Sequence, residues 1–448
     1  MAVASSPVAA QPAPNNVTLP TLGDAAREDL SRVLERKLGE QIMRDIRRDH
    51  DFLDDDPILE YLNTFGSALV AAYPGARGET GADFYFFALR DPMLNAFALP
   101  GGFIAVHSAL LIAAQSESEL ASVLGHEIGH VAQRHIARML GQQRQDALLP
   151  LAAIILAALA SKAGPDAAMG VFMGGQGLAI QRQLNFSRDA EREADRVGFQ
   201  IMSAAGFDTS GMVAFFGRLQ SASRSYSDLT PAYLRSHPLT SERIADIQAR
   251  IRETPYRQRI DGIEFQLVRT RARVLQDESV TGRAETQTAF EAQMVQESRQ
   301  QQAAAQYGLS FLALKRGDLA AAQSWLDKAR LTMKPREAPV FSVGRAASDG
   351  AAMFASMALE IKLAPGQPAT VVQQALQEAE QAHQRYPLSR GITRQYADAM
   401  IANGKLEEAA RFLREQVQQY REEPKLYDLL AKTYSAQGKI ALQHMALA

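Results

Sequence analysis

The C-terminal part of the chain contains a sequence repeat that strongly restricts its possible folds. Residues 395–405 and 429–439 are similar, lie 34 residues apart, and each end in Gly-Lys. A period of this length is typical of helix pairs that stack side by side, because one pair alone cannot bury its apolar face. The sequence therefore predicts an α-helical solenoid over residues 301–448.

An earlier stretch fits the same 34-residue template, which is that of the tetratricopeptide repeat. The matching positions are Tyr307-Gly308, Gly317-Asp318, Ala321 and Ala329. The intervening residues, Pro335–Gly366, fit it poorly. They are interpreted either as an irregular or inserted repeat, or as generic helical packing.

The N-terminal half mixes helical and strand patterns. Residues 83–89 predict a short aromatic strand, and residues 95–106 predict a hairpin that turns at residues 100–102. Periodic apolar positions predict helices over 22–50, 57–72, 118–140, 185–205 and 240–252. The expected fold class is α+β, mainly α, with a small β-sheet in the first domain and the repeat solenoid after it.

The pattern also predicts domain boundaries. Residues 1–20 are expected to be a disordered tail, and residues 21–264 a mixed domain. After residue 264 the strand patterns disappear, so residues 265–300 are predicted to be a helical linker to the repeats at 301–448.

Composition narrows the chemistry that the chain can perform. A net charge of −2 gives no electrostatic reason to expect nucleic acid as a partner. The chain has no cysteine, which excludes disulfides, thiol chemistry and cysteine-ligated zinc. A bound metal must therefore be held by carboxylates and by some of the eight histidines.

The segment His126-Glu127-Ile128-Gly129-His130 is an HExxH motif. On a helix, residues four apart share a face, so both imidazoles can reach one metal ion. Glu127 lies beside them, where it can take a proton from metal-bound water. Gly129 allows another element to approach closely. The motif predicts a zinc peptidase active site.

The sequence leaves the third metal ligand open. Gln133 and Ile136 occupy positions where one known spacing would place a glycine and a third histidine, so that solution is excluded. His135 falls on a different helical face and is expected to cap or pack. A later segment offers Glu191 and Asp195, four residues apart on a predicted helix.

Glu191 is a candidate to bind the metal while Asp195 orients a motif histidine, and Glu193 is then expected to point elsewhere. Spacing alone does not choose among these acids. The alternative is that all three are solvated helix charges.

HExxH, the downstream ExxxD helix and Ser236-His237-Pro238 together resemble the M48 family of metallopeptidases. The resemblance extends from about Leu22 to the C-terminus. The inner-membrane members of the family carry spanning helices, and this sequence lacks an adequate one, which favours a soluble, exported branch. The resemblance implies one Zn²⁺ per chain, with His126, His130 and Glu191 as ligands and Asp195 supporting them.

The same resemblance implies that the loop carrying His237 faces the zinc ion. His237 would then either stabilise the oxyanion or occupy the fourth zinc position and hold the enzyme inactive. Arg243, one turn into the following helix, is expected to assist at the same site. Without the resemblance, a loop histidine is normally solvated.

The expected function is that of a zinc endopeptidase of the cell envelope. It would degrade misfolded or stalled outer-membrane proteins and could also assist their assembly as a chaperone. The resemblance implies a periplasmic location, with the signal peptide absent from this sequence, and docking of the repeats on the outer-membrane β-barrel assembly machinery. The alternative is a repeat-based scaffold or chaperone with a structural or latent zinc site.

Substrate is expected to add as an extra strand beside Phe103, Ile104, Ala105 and Val106, although these residues also suit an ordinary hairpin.

Three further segments are either of low complexity or unusually apolar. Residues 2–14 are interpreted as a disordered tail or as the start of a mature exported protein. Residues 147–161 are apolar but shorter than the roughly 20 residues that a spanning helix needs. They predict a buried helix or a peripheral membrane contact. The glycine-rich continuation makes residues 148–177 a candidate flexible lid.

Overall fold

A computed structural model describes residues 31–80, 83–141, 188–225, 232–257, 259–295, 298–334, 349–421 and 423–447. The predictions for the N-terminal tail, for the apolar segment 147–161 and for the lid 148–177 lie outside these residues. The described part of the chain is mainly helical and contains one small sheet, which confirms the predicted fold class. None of its helices is both long and apolar enough to cross a membrane.

The helices of the first half of the chain are α1 (Arg32–Ile46), α2 (Asp56–Ala72), α3 (Ser108–Ala113), α4 (Glu117–Ala132), α5 (His135–Gly141), α6 (Arg188–Ala204), α7 (Ser210–Ser225), α8 (Ala232–Ser236) and α9 (Ser241–Glu253). A 3₁₀ helix spans Pro74–Thr80. The helices of the second half are α10 (Ile263–Gln276), α11 (Val280–Gln293), α12 (Arg299–Lys315), α13 (Leu319–Met333), α14 (Ala351–Lys362), α15 (Ala369–Arg385), α16 (Arg390–Ala402), α17 (Leu406–Gln419), α18 (Pro424–Ala436) and α19 (Ile440–Leu447).

The sheet has three strands, β1 (Tyr85–Leu89), β2 (Ala96–Leu99) and β3 (Phe103–His107), in the order β1-β3-β2. β2 and β3 form the predicted antiparallel hairpin, and β1 pairs with β3 in parallel. The turn between β2 and β3 contains Gly101 and Gly102 with φ of 78° and 88°, a backbone region that favours glycine.

The predicted substrate-binding strand is wrong. Phe103, Ile104, Ala105 and Val106 belong to β3, which is the central strand and is paired on both sides. Its backbone therefore has no open edge to which a peptide could add. Within the described residues, no strand pairs with the outer side of β2, so the open edge nearest the hairpin is Ala96–Leu99.

Helix α4, which carries HExxH, begins at an N-cap formed by the Ser116 side chain, which accepts a hydrogen bond from the Glu119 N–H. The helix ends sooner than predicted. Arg134 has a φ of 52°, so the backbone turns out of the helix there, and α5 starts afresh at His135. The prediction of one helix over 118–140 is therefore wrong, and this break decides where the His135 ring lies.

Helices α4 and α6 pack so closely that only glycine fits at their contact. A Cβ added at Gly129 would lie 2.9 Å from the Ala194 carbonyl oxygen, and one at Gly198 would lie 2.9 Å from the His126 nitrogen. This confirms that Gly129 allows a close approach. Because the backbones touch, the acids of α6 face the histidines of α4 directly.

The last four helices follow the 34-residue period. Gly404 ends the turn after α16 with a φ of 73°, and Gly438 ends the turn after α18 with a φ of 72°. The equivalent Gly317, after α12, has a φ of 77°. Each helix pair is thus joined by the same left-handed glycine turn. Of the irregular stretch 335–366, residues 335–348 lie outside the described part, and α14 occupies most of the rest.

Partly buried ion pairs join the repeat helices to the first half of the chain. Asp56, at the start of α2, contacts Arg394 of α16 and Lys425 of α18. Ser389, the N-cap of α16, donates a hydrogen bond to Glu60 of α2 at 2.9 Å. Helix α2 in turn packs on β1 and α4, so the repeats rest on an element that also supports the HExxH helix. The domain boundaries remain predictions.

Candidate metal centre

Four buried side chains from three parts of the chain meet at one point. His126 and His130 come from α4, Glu191 from α6, and His237 directly follows α8. Their nitrogen and oxygen atoms all lie within 4.8 Å of one another, and each residue is at most 1% exposed. The three metal ligands expected from the sequence, His126, His130 and Glu191, therefore lie at one site together with His237.

The distances within this cluster are short. The Nε2 atoms of His126 and His130 are 2.9 Å apart. The Glu191 carboxylate lies 3.5 Å from the first and 3.4 Å from the second. His237 places its Nδ1 at 3.0 Å from Glu191 Oε1 and 3.3 Å from His126 Nε2. The donor atoms of all four residues thus converge.

Two observations indicate that this cluster suits a metal ion. Glu191 Oε2 is buried and accepts no hydrogen bond of ordinary geometry within the described residues, although Arg243 Nη1 is 2.9 Å away. The second observation is the donor set itself, because imidazole with carboxylate is found in catalytic metal sites.

Asp195 and Arg243 support the cluster from behind. His126 Nδ1 donates to Asp195 Oδ1 at 2.9 Å, and Arg243 donates to both Asp195 oxygens at 2.6 and 2.8 Å. Burial raises the pKa of Asp195, but these hydrogen bonds outweigh it and lower the pKa below its ordinary value. Asp195 therefore stays ionised and orients the His126 ring. Helix α9, which carries Arg243, begins at an N-cap formed by Thr240, whose hydroxyl accepts a hydrogen bond from the Arg243 N–H.

Glu127 lies fully buried beside the cluster. Neither of its carboxylate oxygens has a hydrogen-bond partner of ordinary geometry within the described residues, and His237 Nε2 is 3.6 Å from Oε1. Burial raises the pKa of Glu127 above its ordinary value. The Ala98 backbone and His237 lower this pKa in part, and the buried carboxyl group is placed to exchange a proton with a molecule bound at the cluster.

The sequence predicts that His135 caps or packs and that Glu193 points elsewhere, but both residues lie beside this site. His135 Nδ1 lies 2.8 Å from His130 Nδ1, and the other ring nitrogen of His135 lies 3.1 Å from Glu193. Burial lowers the pKa of His135 to about 4, so the ring is neutral. Its spacing in a continuous helix places it on the wrong face, and only the turn at Arg134 brings it under His130.

Comparison with known proteins agrees with this geometry. The sequence profile of peptidase family M48 matches residues 68–251, and a tetratricopeptide repeat profile matches residues 372–433. Residues 68–251 are a peptidase family M48 domain. The chain therefore combines a peptidase family M48 domain with tetratricopeptide repeats, and a metalloendopeptidase is among the proteins similar to it.

Several named relatives are similar over long stretches. The beta-barrel assembly-enhancing protease of Escherichia coli (strain K12) is 29% identical over 94% of this chain and 80% of its own length. The protein of that name from Yersinia pestis is 37% identical over 52% of this chain and 47% of its length. Mitochondrial metalloendopeptidase OMA1 of Arabidopsis thaliana is 27% identical over 50% of this chain and 42% of its own length. A Vibrio cholerae relative is matched over 52% of its length, so the chain spans only about half of some relatives.

Proposed function

We propose that this chain is a zinc-dependent endopeptidase of the cell envelope that degrades misfolded or stalled outer-membrane proteins. The observation that carries the proposal is the buried cluster of His126, His130, Glu191 and His237, with the buried carboxylate of Glu127 beside it. The names of the relatives supply the link to outer-membrane proteins, and the location in the periplasm is proposed on the same ground.

His126, His130 and Glu191 are the proposed zinc ligands. A zinc ion held there would supply Lewis acidity towards the scissile carbonyl and the attacking water. Glu127 then takes a proton from that water and delivers it to the leaving amine. Asp195 and Arg243 hold the His126 ring in place, and Arg243 also holds the His237 loop by donating to the Pro238 carbonyl at 2.8 Å.

The substrate is proposed to lie along β2 rather than β3. The His107 N–H donates to the Asn95 carbonyl, so Asn95–His107 is a hydrogen-bonded pair of the β2–β3 ladder. Such pairs alternate, so the N–H and C=O groups of Ala96 and Ala98 point away from β3, towards the open edge. Helix α4, which carries Glu127, packs against β2. An extended peptide on this edge would therefore run beside the acid that activates water.

The repeats are proposed to select clients or to dock the enzyme on the outer-membrane β-barrel assembly machinery. Tetratricopeptide helices present extended surfaces of the kind that bind proteins. A chaperone-like role in barrel assembly is compatible with the same surface. A scaffold with a purely structural metal site is less well supported, because such a site has no need of a buried acid at Glu127.

The test of this function is cleavage of unfolded casein by the zinc-loaded chain. The zinc-loaded chain is expected to cleave casein. A chelator should abolish this cleavage, and added zinc should restore the cleavage. A chain that holds stoichiometric zinc but cleaves nothing, even when His237 is removed, would contradict the endopeptidase and favour the scaffold.

His237→Ala is expected to raise casein cleavage about tenfold or more. His237 sits among the proposed ligands, 3.0 Å from Glu191 and 3.3 Å from His126, so we propose that it fills the fourth position and keeps water out. Removing the His237 side chain should favour the state in which the fourth position is free for water, a state that is otherwise populated at about 10% or less. The control is His383→Ala in the repeats. A loss of cleavage with zinc retained would instead make His237 part of the chemistry, as an oxyanion donor.

A further inference from the structure

We propose that His135 and Glu193 are positioning residues that fix the proton on the His130 ring, so that its Nε2 presents a lone pair to the metal ion. The inference rests on the proposed function, because it takes His130 as a zinc ligand. It concerns metal affinity rather than a new reaction step.

The hydrogen bonds around His135 determine where the protons lie. His135 Nε2 lies 3.1 Å from Glu193 Oε2, and an ionised carboxylate can only accept. His135 Nε2 therefore carries a proton, and in the neutral ring Nδ1 carries a lone pair. His130 Nδ1, 2.8 Å away, must then be the donor. This leaves the lone pair of His130 on Nε2, which faces the cluster.

The opposite arrangement is unfavourable. If His135 Nδ1 donated to His130, the His135 ring would carry protons on both nitrogens and be a cation, although the residue is only 2% exposed. His130 would then hold its proton on Nε2, and it could not bind a metal ion through that atom. The geometry therefore selects the arrangement that leaves His130 ready to bind.

Glu193 is held so that it can only accept. Arg138 of α5 donates to the same Oε2 atom at 3.0 Å. Both motif histidines are thus connected to carboxylates of α6, His126 directly to Asp195 and His130 through His135 to Glu193.

Two substitutions at His135 separate this role from packing. His135→Asn keeps an acceptor, because the amide oxygen of asparagine can occupy the place of Nδ1. His135→Leu keeps similar bulk but offers no acceptor. His383→Leu, a histidine packed against Tyr396 and Phe412 in the repeats, is the matched control. Zinc affinity is measured on each full-length protein by competition with a coloured chelator, and circular dichroism of the chelated protein verifies folding.

His135→Leu is expected to weaken zinc binding about 10- to 100-fold, as is typical when the partner of a ligating histidine is lost. His135→Asn is expected to stay within about threefold of the unaltered chain, since the hydrogen bond that orients His130 is kept. Nitrogen-15 NMR of the zinc-loaded chain should show a protonated Nδ1 on His130 and an unprotonated Nδ1 on His135.

Equal affinity of the folded His135→Leu protein and the unaltered chain would overturn the inference. Equal weakening by Asn and Leu would also overturn it, because packing alone would then explain the loss. If His135→Leu does not fold, the NMR assignment decides, and reversed protonation of the two rings would refute the proposal. Failure of the unaltered chain to bind zinc is a different result: it would refute the proposed function, and this inference with it.

Discussion

Glu127→Gln is expected to lower cleavage of unfolded casein by about 10²- to 10⁴-fold, the usual contribution of a general base or acid. The substitution keeps the size of the side chain and removes its ability to accept a proton. Glu127 is not among the proposed ligands, so the protein should still bind zinc. Burial raises the pKa of this carboxyl, which suits a group that must both take up and release a proton.

The matched control for this substitution is Glu407→Gln, at an exposed position of the repeats, which should leave cleavage and zinc content unchanged. Cleavage within about twofold of the unaltered chain would contradict the role of Glu127. A Glu127→Gln protein that cleaves nothing but still performs the cellular task in full would support the scaffold alternative, because the repeats would then suffice.

Arg271→Met is expected to lower the free energy of unfolding by about 3–5 kcal/mol, the typical cost of removing one partner of a buried ion pair. Arg271 donates to Asp55 at 2.6 and 2.9 Å, to the Tyr307 hydroxyl at 3.0 Å and to Glu360 at 3.1 Å. It therefore ties α10 to α2, α12 and α14. Methionine would leave two neighbouring carboxyl groups without their cation.

Burial raises the pKa of Glu360, and Arg271 opposes that effect, so the substitution should favour a protonated Glu360. The measurement is unfolding in urea, followed by circular dichroism and tryptophan fluorescence. Arg273→Met is the control, since Arg273 lies in the same helix and forms no hydrogen bond or ion pair within the described residues. If Arg271→Met lowers the free energy of unfolding by less than about 1 kcal/mol, and by no more than the control does, the contacts of Arg271 do not stabilise the packing of α10 on α2, α12 and α14.

The features that were predictable from the sequence are those encoded over short distances. The two histidines of HExxH share one helical face, and so do the two acids of ExxxD, because residues four apart in a helix lie on the same side. The hairpin of β2 and β3 has its glycine turn between two apolar runs. The 34-residue offset likewise predicts the repeated glycine turns at Gly404 and Gly438.

The features that were missed depend on contacts between distant segments or on a single backbone angle. The central position of β3 follows from its parallel pairing with β1, which no local pattern encodes. The left-handed Arg134 ends α4 early, and helical periodicity does not reveal such a break. The contact between His135 and Glu193 requires both that break and the close packing of α4 on α6.

The junction between the peptidase helices and the repeats was also hidden from the sequence. Nothing local in Asp54-Asp55-Asp56 indicates a distant partner, yet Asp55 pairs with Arg271 and Asp56 with Arg394. These partners lie 216 and 338 residues away along the chain. Acidic residues at a helix start have a local explanation as caps, which conceals a role in joining two parts of the fold.

The most direct test of the account is the zinc content of the purified, dialysed chain, measured by mass spectrometry beside that of His126→Ala and His383→Ala. The account predicts about one zinc per chain for the unaltered protein and for His383→Ala, and almost none for His126→Ala. Absence of zinc from the unaltered chain after loading, or full retention of zinc by His126→Ala, would contradict the claim that this buried cluster is a catalytic zinc site.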